Sequence, residues 1–190
     1  MTKIGFIRHG CTDWNKAKRA QGHSDIPLCD EGYVQAGKLA NRLAGEAWDV
    51  IYASDLKRAR QTAETIAEKM QDIEIHLDER LRERYGGQIE GTTVEERIDK
   101  WGENWRELDL GMETGDEISK RGMACLNEVI TNHQDENILV VSHGAFIKEL
   151  LRTLFPDQDV EGSLDNCSVT VLETNGELWD LTLHNCVTHI

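Results

Sequence analysis

Asn137-Ile-Leu-Val-Val-Ser-His-Gly-Ala-Phe-Ile-Lys-Glu-Leu-Leu-Arg-Thr-Leu154 is the stretch that decides the fold. Four consecutive apolar residues, Ile138 to Val141, predict a strand over Asn137–Val141 that is covered on both faces. Ser142-His143-Gly144 ends the run. Ala145–Leu154 then carries apolar residues at helical spacing, closed by Pro156. A fully covered strand leading straight into a helix is the building unit of a mainly parallel sheet with helices packed on it.

The same alternation extends outward in both directions. Strands are predicted over Lys3–Ile7, Asp49–Ala53 and Glu74–Leu77, and helices over Asp30–Leu43, Leu56–Met70 and Asp116–His133. Ser168–Glu173 and Leu178–His184 predict a terminal hairpin around Asn175-Gly176, a favoured two-residue turn. The expected fold class is therefore α/β, a three-layer sandwich whose central sheet is mainly parallel and flanked by helices. At 190 residues the chain suits one domain, residues 1–190, with a full core. Gly86 to about Gly115 stands apart: glycines come early, followed by charged residues, Trp101 and Trp105. It reads as a cap-like excursion over the sheet's edge.

Composition narrows the function. A net charge of −14 disfavours nucleic acid and anionic membrane as partners. It would also repel a phosphorylated metabolite, so binding one requires a pocket where a few Arg and His residues reverse the local field. The 5 cysteines, Cys11, Cys29, Cys125, Cys167 and Cys186, are odd in number and scattered, with no Cys-x-x-Cys pair. That pattern suits a reducing compartment rather than a disulfide framework or zinc cage. No apolar run approaches a membrane span and no signal pattern is read at the start, so the expected location is cytoplasmic. A homodimer is compatible with the sequence, which holds no signal for or against it.

Positive charge gathers where strands end. Arg8-His9-Gly10 follows the first strand, and Ser142-His143-Gly144 follows the strand over Asn137–Val141. Ligands of open α/β sheets bind at the carboxyl ends of strands, and the helix after His143 offers unpaired N–H groups. Either histidine alone is more often structural; two strand-end His-Gly steps together point to a site. Ser54 to Ala63 places Arg58 in the first turn of a helix, where a cation opposes the helix dipole unless an anion compensates. Glu83, in Leu81 to Gly91, would pass for surface charge, but phosphoester cleavage needs a proton donor for the leaving oxygen.

Together these residues resemble the histidine phosphatase superfamily, which shares its fold with cofactor-dependent phosphoglycerate mutases. The family's Arg-His-Gly-x-Thr-x-x-Asn opening matches Arg8 to Asn15. Its Gly-x-x-Asp-x-Pro-Leu turn matches Gly22 to Leu28, followed by Glu31-Gly32. The Ser54–Ala63, Leu81–Gly91 and Val141–Gly144 segments complete the ordered set, so the resemblance covers nearly the whole chain. Cys11 departs from it, standing where members usually carry a longer polar residue; a cysteine there could tune sensitivity to oxidation.

The resemblance implies a catalytic set of His9, Glu83, His143, Arg8 and Arg58. His9 would attack phosphorus as a neutral imidazole, while Arg8, Arg58 and His143 hold the equatorial oxygens. Glu83 would protonate the leaving oxygen, then activate water against phosphohistidine. Asn15, Gly22, Ser54, Tyr85, Gly144 and Ala145 are the expected substrate-binding positions. The implied partner is a small phosphorylated substrate, and the chemistry calls for no metal or cofactor.

Rival readings are weaker. Gly32 to Lys38 nearly matches a P-loop, but Leu39 replaces the Ser/Thr and the stretch lies within a helical pattern. No cysteine stands five residues before an arginine, as a cysteine phosphatase requires. A metallohydrolase built on His9 and His143 would face flanking arginines that repel the cation. A binding module without turnover is the rival of another class, and the intact catalytic set argues against it. A phosphoglycerate mutase is the alternative within the family. Against it, Gly91 is followed by Thr92-Thr93-Val94 with no lysine, and Trp105-Arg106-Glu107 offers one arginine where mutases carry a pair.

Overall fold

The computed structural model describes residues 1–158, 160, 162–176 and 178–190. Its sheet contains six strands: β1 (Thr2–Arg8), β2 (Val50–Ala53), β3 (Glu74–Leu77), β4 (Asn137–Ser142), β5 (Val169–Thr174) and β6 (Trp179–Cys186). They lie in the order β3-β2-β4-β1-β5-β6. The first four are mutually parallel, and β5 is antiparallel to both β1 and β6. The predicted strands are all present, and the sheet is mainly parallel as expected.

Helices cover both faces. α2 (Asp30–Leu43) and α3 (Lys57–Ala67) lie on one face; α5 (Gly115–Asn132) and α6 (Gly144–Leu154) lie on the other. Alternate residues of the central strands feed two cores. Ile4, Phe6, Ile138 and Val140 pack with Ile118, Leu126, Phe146 and Leu150. Ile7, Leu139 and Val141 pack with Leu39, Leu43, Ala63 and Ile66. Burial on both faces explains why Ile138–Val141 shows no polar alternation.

Four details differ from the sequence reading. A short α1 (Asp13–Lys16) follows β1, capped by Thr12, whose side chain accepts from the Asn15 N–H. The excursion contains α4 (Val94–Trp101), started by a reciprocal Thr93–Glu96 capping box. α3 spans Lys57–Ala67, inside the wider predicted helix. The hairpin closes on the pair Thr174 and Trp179, so its connection is longer than an Asn175-Gly176 turn.

Candidate active site

The register of the two central strands builds the site. β1 and β4 align Arg8 opposite Ser142, so the chain leaves the sheet twice at the same height. The His9 N–H donates to the Ser142 carbonyl at 3.0 Å. The rings of His9 and His143 consequently stand side by side, centroids 5.1 Å apart and inclined at 60°. His9 is 2% exposed and His143 is fully buried.

Their hydrogen bonds fix opposite tautomers. His9 Nδ1 lies 2.7 Å from the Gly10 carbonyl, which can only accept. Nδ1 therefore carries the proton and Nε2 keeps its lone pair. Burial holds the His9 pKa well below the ordinary histidine range; Arg58 and Arg8 push the same way, and the Gly10 carbonyl opposes them. The ring is a neutral imidazole with an open Nε2, the state an in-line nucleophile needs.

His143 is engaged at both nitrogens. Arg58 Nε donates to its Nδ1 at 3.2 Å, so the proton sits on Nε2, which donates to Ser54 Oγ at 2.8 Å. Burial, then Arg58, then His9 depress its pKa far below the usual value. The sequence reading had His143 gripping phosphoryl oxygens. In this arrangement it braces Arg58 and has no unengaged ring nitrogen to offer.

Arg58 is 0% exposed, donating to the carbonyls of Gly22 and Ser24 at 2.8 Å each. Burial takes its pKa down to about 10, which leaves it charged at neutral pH. Gly22 has φ +51°, and a Cβ there would run into the Glu90 carboxylate; its part is to hold Arg58 through its carbonyl. Arg8 donates through Nη1 to the Leu164 carbonyl. Its Nε is buried without a partner among the described residues, and a Cβ at Gly144 would lie 3.3 Å from it. Such an orphaned cationic donor beside His9 suits an anionic ligand.

Glu83 closes the pocket. Its carboxylate accepts from the N–H groups of Arg84 (2.9 Å), Phe146 (3.0 Å) and Ala145 (3.3 Å). The first turn of α6 is thus occupied by Glu83 in part. Ala145, read from sequence as a donor to substrate, gives its N–H to this carboxylate instead. Ser54 is fully buried, and its hydroxyl serves His143 and the Leu56 N–H rather than facing a pocket. Asn15 Oδ1 accepts from the Thr12 N–H and hydroxyl at 3.1 Å each, so only its Nδ2 could meet a ligand. Tyr85 is half-exposed, with its ring against His23 at 5.2 Å. It lines a cavity of about 550 Å³ with Arg82, Met112 and Arg121. A second cavity, about 400 Å³, adjoins Glu83 and Ala145 and is lined by Gly22, Arg84, Trp105 and Met112.

Several supporting residues were not found from sequence. Thr62 accepts the Gly10 N–H at 3.0 Å, and Asn166 donates to the His9 carbonyl at 2.8 Å. Glu90 gathers the N–H groups of His23, Ser24 and Gly86, plus the Ser24 hydroxyl. Burial alone would raise the Glu90 pKa, but these donors outweigh it and hold the group below the ordinary carboxylate value. Thr62 falls within the Ser54–Ala63 motif and Glu90 within Leu81–Gly91, with no role read for either, whereas nothing marks Asn166 in a single sequence.

The family model of the histidine phosphatase superfamily (branch 1) matches residues 4–187. An uncharacterised phosphatase of Bacillus subtilis, PhoE, is 34% identical, covering 100% of this chain and 97% of its own length. Phosphoglycerate mutase-like protein 4 of Arabidopsis thaliana is 33% identical, covering 99% and 86% respectively. Among solved structures, a phosphoserine phosphatase of Entamoeba histolytica in complex with phosphoserine superposes with a TM-score of 0.85. It is 32% identical, with 100% of both chains covered.

Proposed function

Because the chain belongs to the histidine phosphatase superfamily, we propose that it hydrolyses a small phosphorylated metabolite through a phosphohistidine formed on His9. The observation that carries this reading is the His9 tautomer: Nδ1 is tied to the Gly10 carbonyl, leaving Nε2 open beside Arg8 and Arg58. The Nε2 lone pair forms the bond to phosphorus as the bond to the leaving oxygen breaks. Arg8, with its unpartnered Nε, takes up charge on the transferring oxygens, and Arg58 adds its positive field. Glu83, as general acid, gives a proton to the leaving alcohol. As a carboxylate it then takes a proton from water, whose oxygen attacks phosphorus and releases Nε2. Two guanidiniums beside His9, Arg58 fully buried and Arg8 half-buried, repel a metal cation, so no step is routed through one.

Hydrolysis is favoured over mutase chemistry by how the excursion spends its cations. Arg97 and Arg106 lie over the Trp105 ring, at 5.0 and 4.4 Å from its centroid. Arg97 also donates to the Thr92 hydroxyl and carbonyl, and Arg84 donates to the Glu113 carbonyl at 2.7 Å. These contacts take Arg97 away from clamping a second anionic group on a reorienting intermediate, while Arg106 and neighbouring Arg84, which line the cavity beside Glu83, are already engaged.

One rapid-quench experiment tests both halves. The protein is mixed with radiolabelled phosphoester, and protein-bound label and free phosphate are followed together. Acid-labile label on the His9 peptide should appear within one turnover, followed by steady phosphate release. In a parallel coupled assay with 3-phosphoglycerate and catalytic 2,3-bisphosphoglycerate, isomerisation faster than release would overturn the phosphatase reading.

A further inference from the structure

The catalytic loop carries a second chemical feature beside His9. Cys11 follows the nucleophile by two residues, and Cys29 is the N-cap of the 14-residue α2. The Cys29 N–H donates to the Cys11 carbonyl at 3.0 Å. Backbones joined in this way lie at a spacing compatible with a disulfide, roughly 4.4–6.8 Å between Cα atoms. The thiols also interact: burial pushes Cys11 up to about 11, and neighbouring Cys29 adds to the effect. Cys11 is 6% exposed, while Cys29 is half-buried. The Lys16 ammonium bridges to Glu31 at 3.1 Å and also reaches the Cys29 thiol. Cys29 is the more accessible of the two thiols and has the Lys16 ammonium beside it, so its sulfur meets an oxidant first.

We propose that Cys11 and Cys29 form an oxidant-sensitive thiol pair whose disulfide reversibly stops turnover at His9. The oxidant is hydrogen peroxide. The Cys29 sulfur attacks one peroxide oxygen, breaking the O–O bond to give Cys29 sulfenic acid and hydroxide, which takes up the thiol's proton as water. Cys11 sulfur then attacks the Cys29 sulfur. The S–O bond breaks, the departing hydroxide takes the Cys11 proton, and a second water leaves. Two thiols are oxidised to one disulfide, and the peroxide is reduced to two waters.

The consequence for His9 follows from the chain between them. A disulfide draws the two sulfurs to about 2.05 Å, and only Gly10 separates Cys11 from His9. The Gly10 carbonyl fixes the His9 tautomer, and the Gly10 N–H is held by Thr62. The Cys11 backbone already rests against Gly32 of α2, so the bond closes by rotation of Cys11 rather than by closer approach; that rotation turns the Gly10–Cys11 peptide and takes its carbonyl off Nδ1. The claim about turnover rests on the phosphatase reading; the disulfide does not.

The test treats the full-length protein with hydrogen peroxide, alkylates remaining thiols, and reads both peptide masses and phosphate release from a nitrophenyl ester. The expected result is a Cys11–Cys29 linked peptide lacking two hydrogens and at least a tenfold loss of activity. Dithiothreitol should restore the activity, and Cys29→Ser and Cys11→Ser proteins should keep theirs under peroxide. The idea is overturned if no such peptide forms, or if Cys11 links to buried Cys167 instead. Undiminished activity in the linked protein, or equal loss in Cys29→Ser, also overturns it. The linked peptide is sought in parallel in His9→Ala protein. A link there, with no phosphatase activity in the untreated wild type, would refute the functional reading while upholding the thiol chemistry.

Discussion

The two strand ends of the site share a sequence step and a height in the sheet, yet their histidines do different things. At the end of β1, His9 spends Nδ1 on its neighbour's carbonyl and leaves Nε2 unengaged. At the end of β4, His143 spends both nitrogens, accepting from Arg58 and donating to Ser54. Both rings are buried, and both have pKa values held well below the ordinary one. Burial and charge therefore do not separate them. The difference lies in which hydrogen bond each Nδ1 makes: a carbonyl partner frees the far nitrogen as a base, and a guanidinium partner commits it as a donor. An imidazole with its far nitrogen open and a brace are thus made from the same residue, followed by the same glycine, on parallel neighbouring strands.

The largest effect should come from removing the open nitrogen. His9→Ala should lower kcat by roughly 10⁴-fold or more and abolish covalent labelling together; a variant keeping a few per cent of activity would break the comparison at its centre. His143→Gln should cost less, about 100-fold in kcat/KM, with label still forming slowly on His9. Loss of activity equal to that of His9→Ala would mean that the brace is itself a reacting group. Ser54→Ala removes only the acceptor for the His143 proton. A drop of about tenfold is expected, equivalent to roughly 1.4 kcal/mol in the barrier, with KM for substrate little changed.

The smallest effect is on stability, and its sign follows from both depressed pKa values. In the unfolded chain each histidine takes a proton near pH 6.5, whereas the folded rings stay neutral well below that. Their contribution to stability is present above pH 6.5 and is lost as pH falls toward the folded values. Each ring should remove about 1.4 kcal/mol per pH unit across that window. Urea midpoints measured from pH 6.5 to 5 should therefore fall steeply for the wild type and about half as steeply for His143→Gln. Parallel slopes would show that His143 is not held neutral.

Much of this arrangement was legible in the sequence because it is written in local signals. The apolar run Ile138–Val141 and the two His-Gly steps gave the sheet, the crevice and both histidines. Less was legible where one residue type serves many purposes. Ser54 reads as a pocket residue, but only the register of β2 against β4 reveals that its hydroxyl lies behind His143. Ala145 reads as an anion donor until Glu83, 62 residues away in sequence, is found on its N–H. Asn166 and the Leu164 carbonyl reach the site from the connection before β5, at long range and with no pattern to announce them. α4 is a different case. Its Thr93-x-x-Glu96 cap was present in the sequence, but glycines and charges around it masked an eight-residue helix.

Gly10 and Gly32 form a matched pair. A Cβ on Gly10 would lie 2.7 Å from the Gly32 carbonyl, and one on Gly32 would run into the Cys11 carbonyl. Main chain therefore rests on main chain where α2 meets the His9 loop. Peptide groups have the same dimensions in every sequence, so the spacing at this seam does not depend on any side-chain choice. Substitutions in the surrounding helices and in the excursion leave it unaltered. The His9 imidazole is registered to the scaffold by a gauge that mutation can destroy but cannot gradually retune, which confines evolutionary adjustment of this protein to the rest of the pocket.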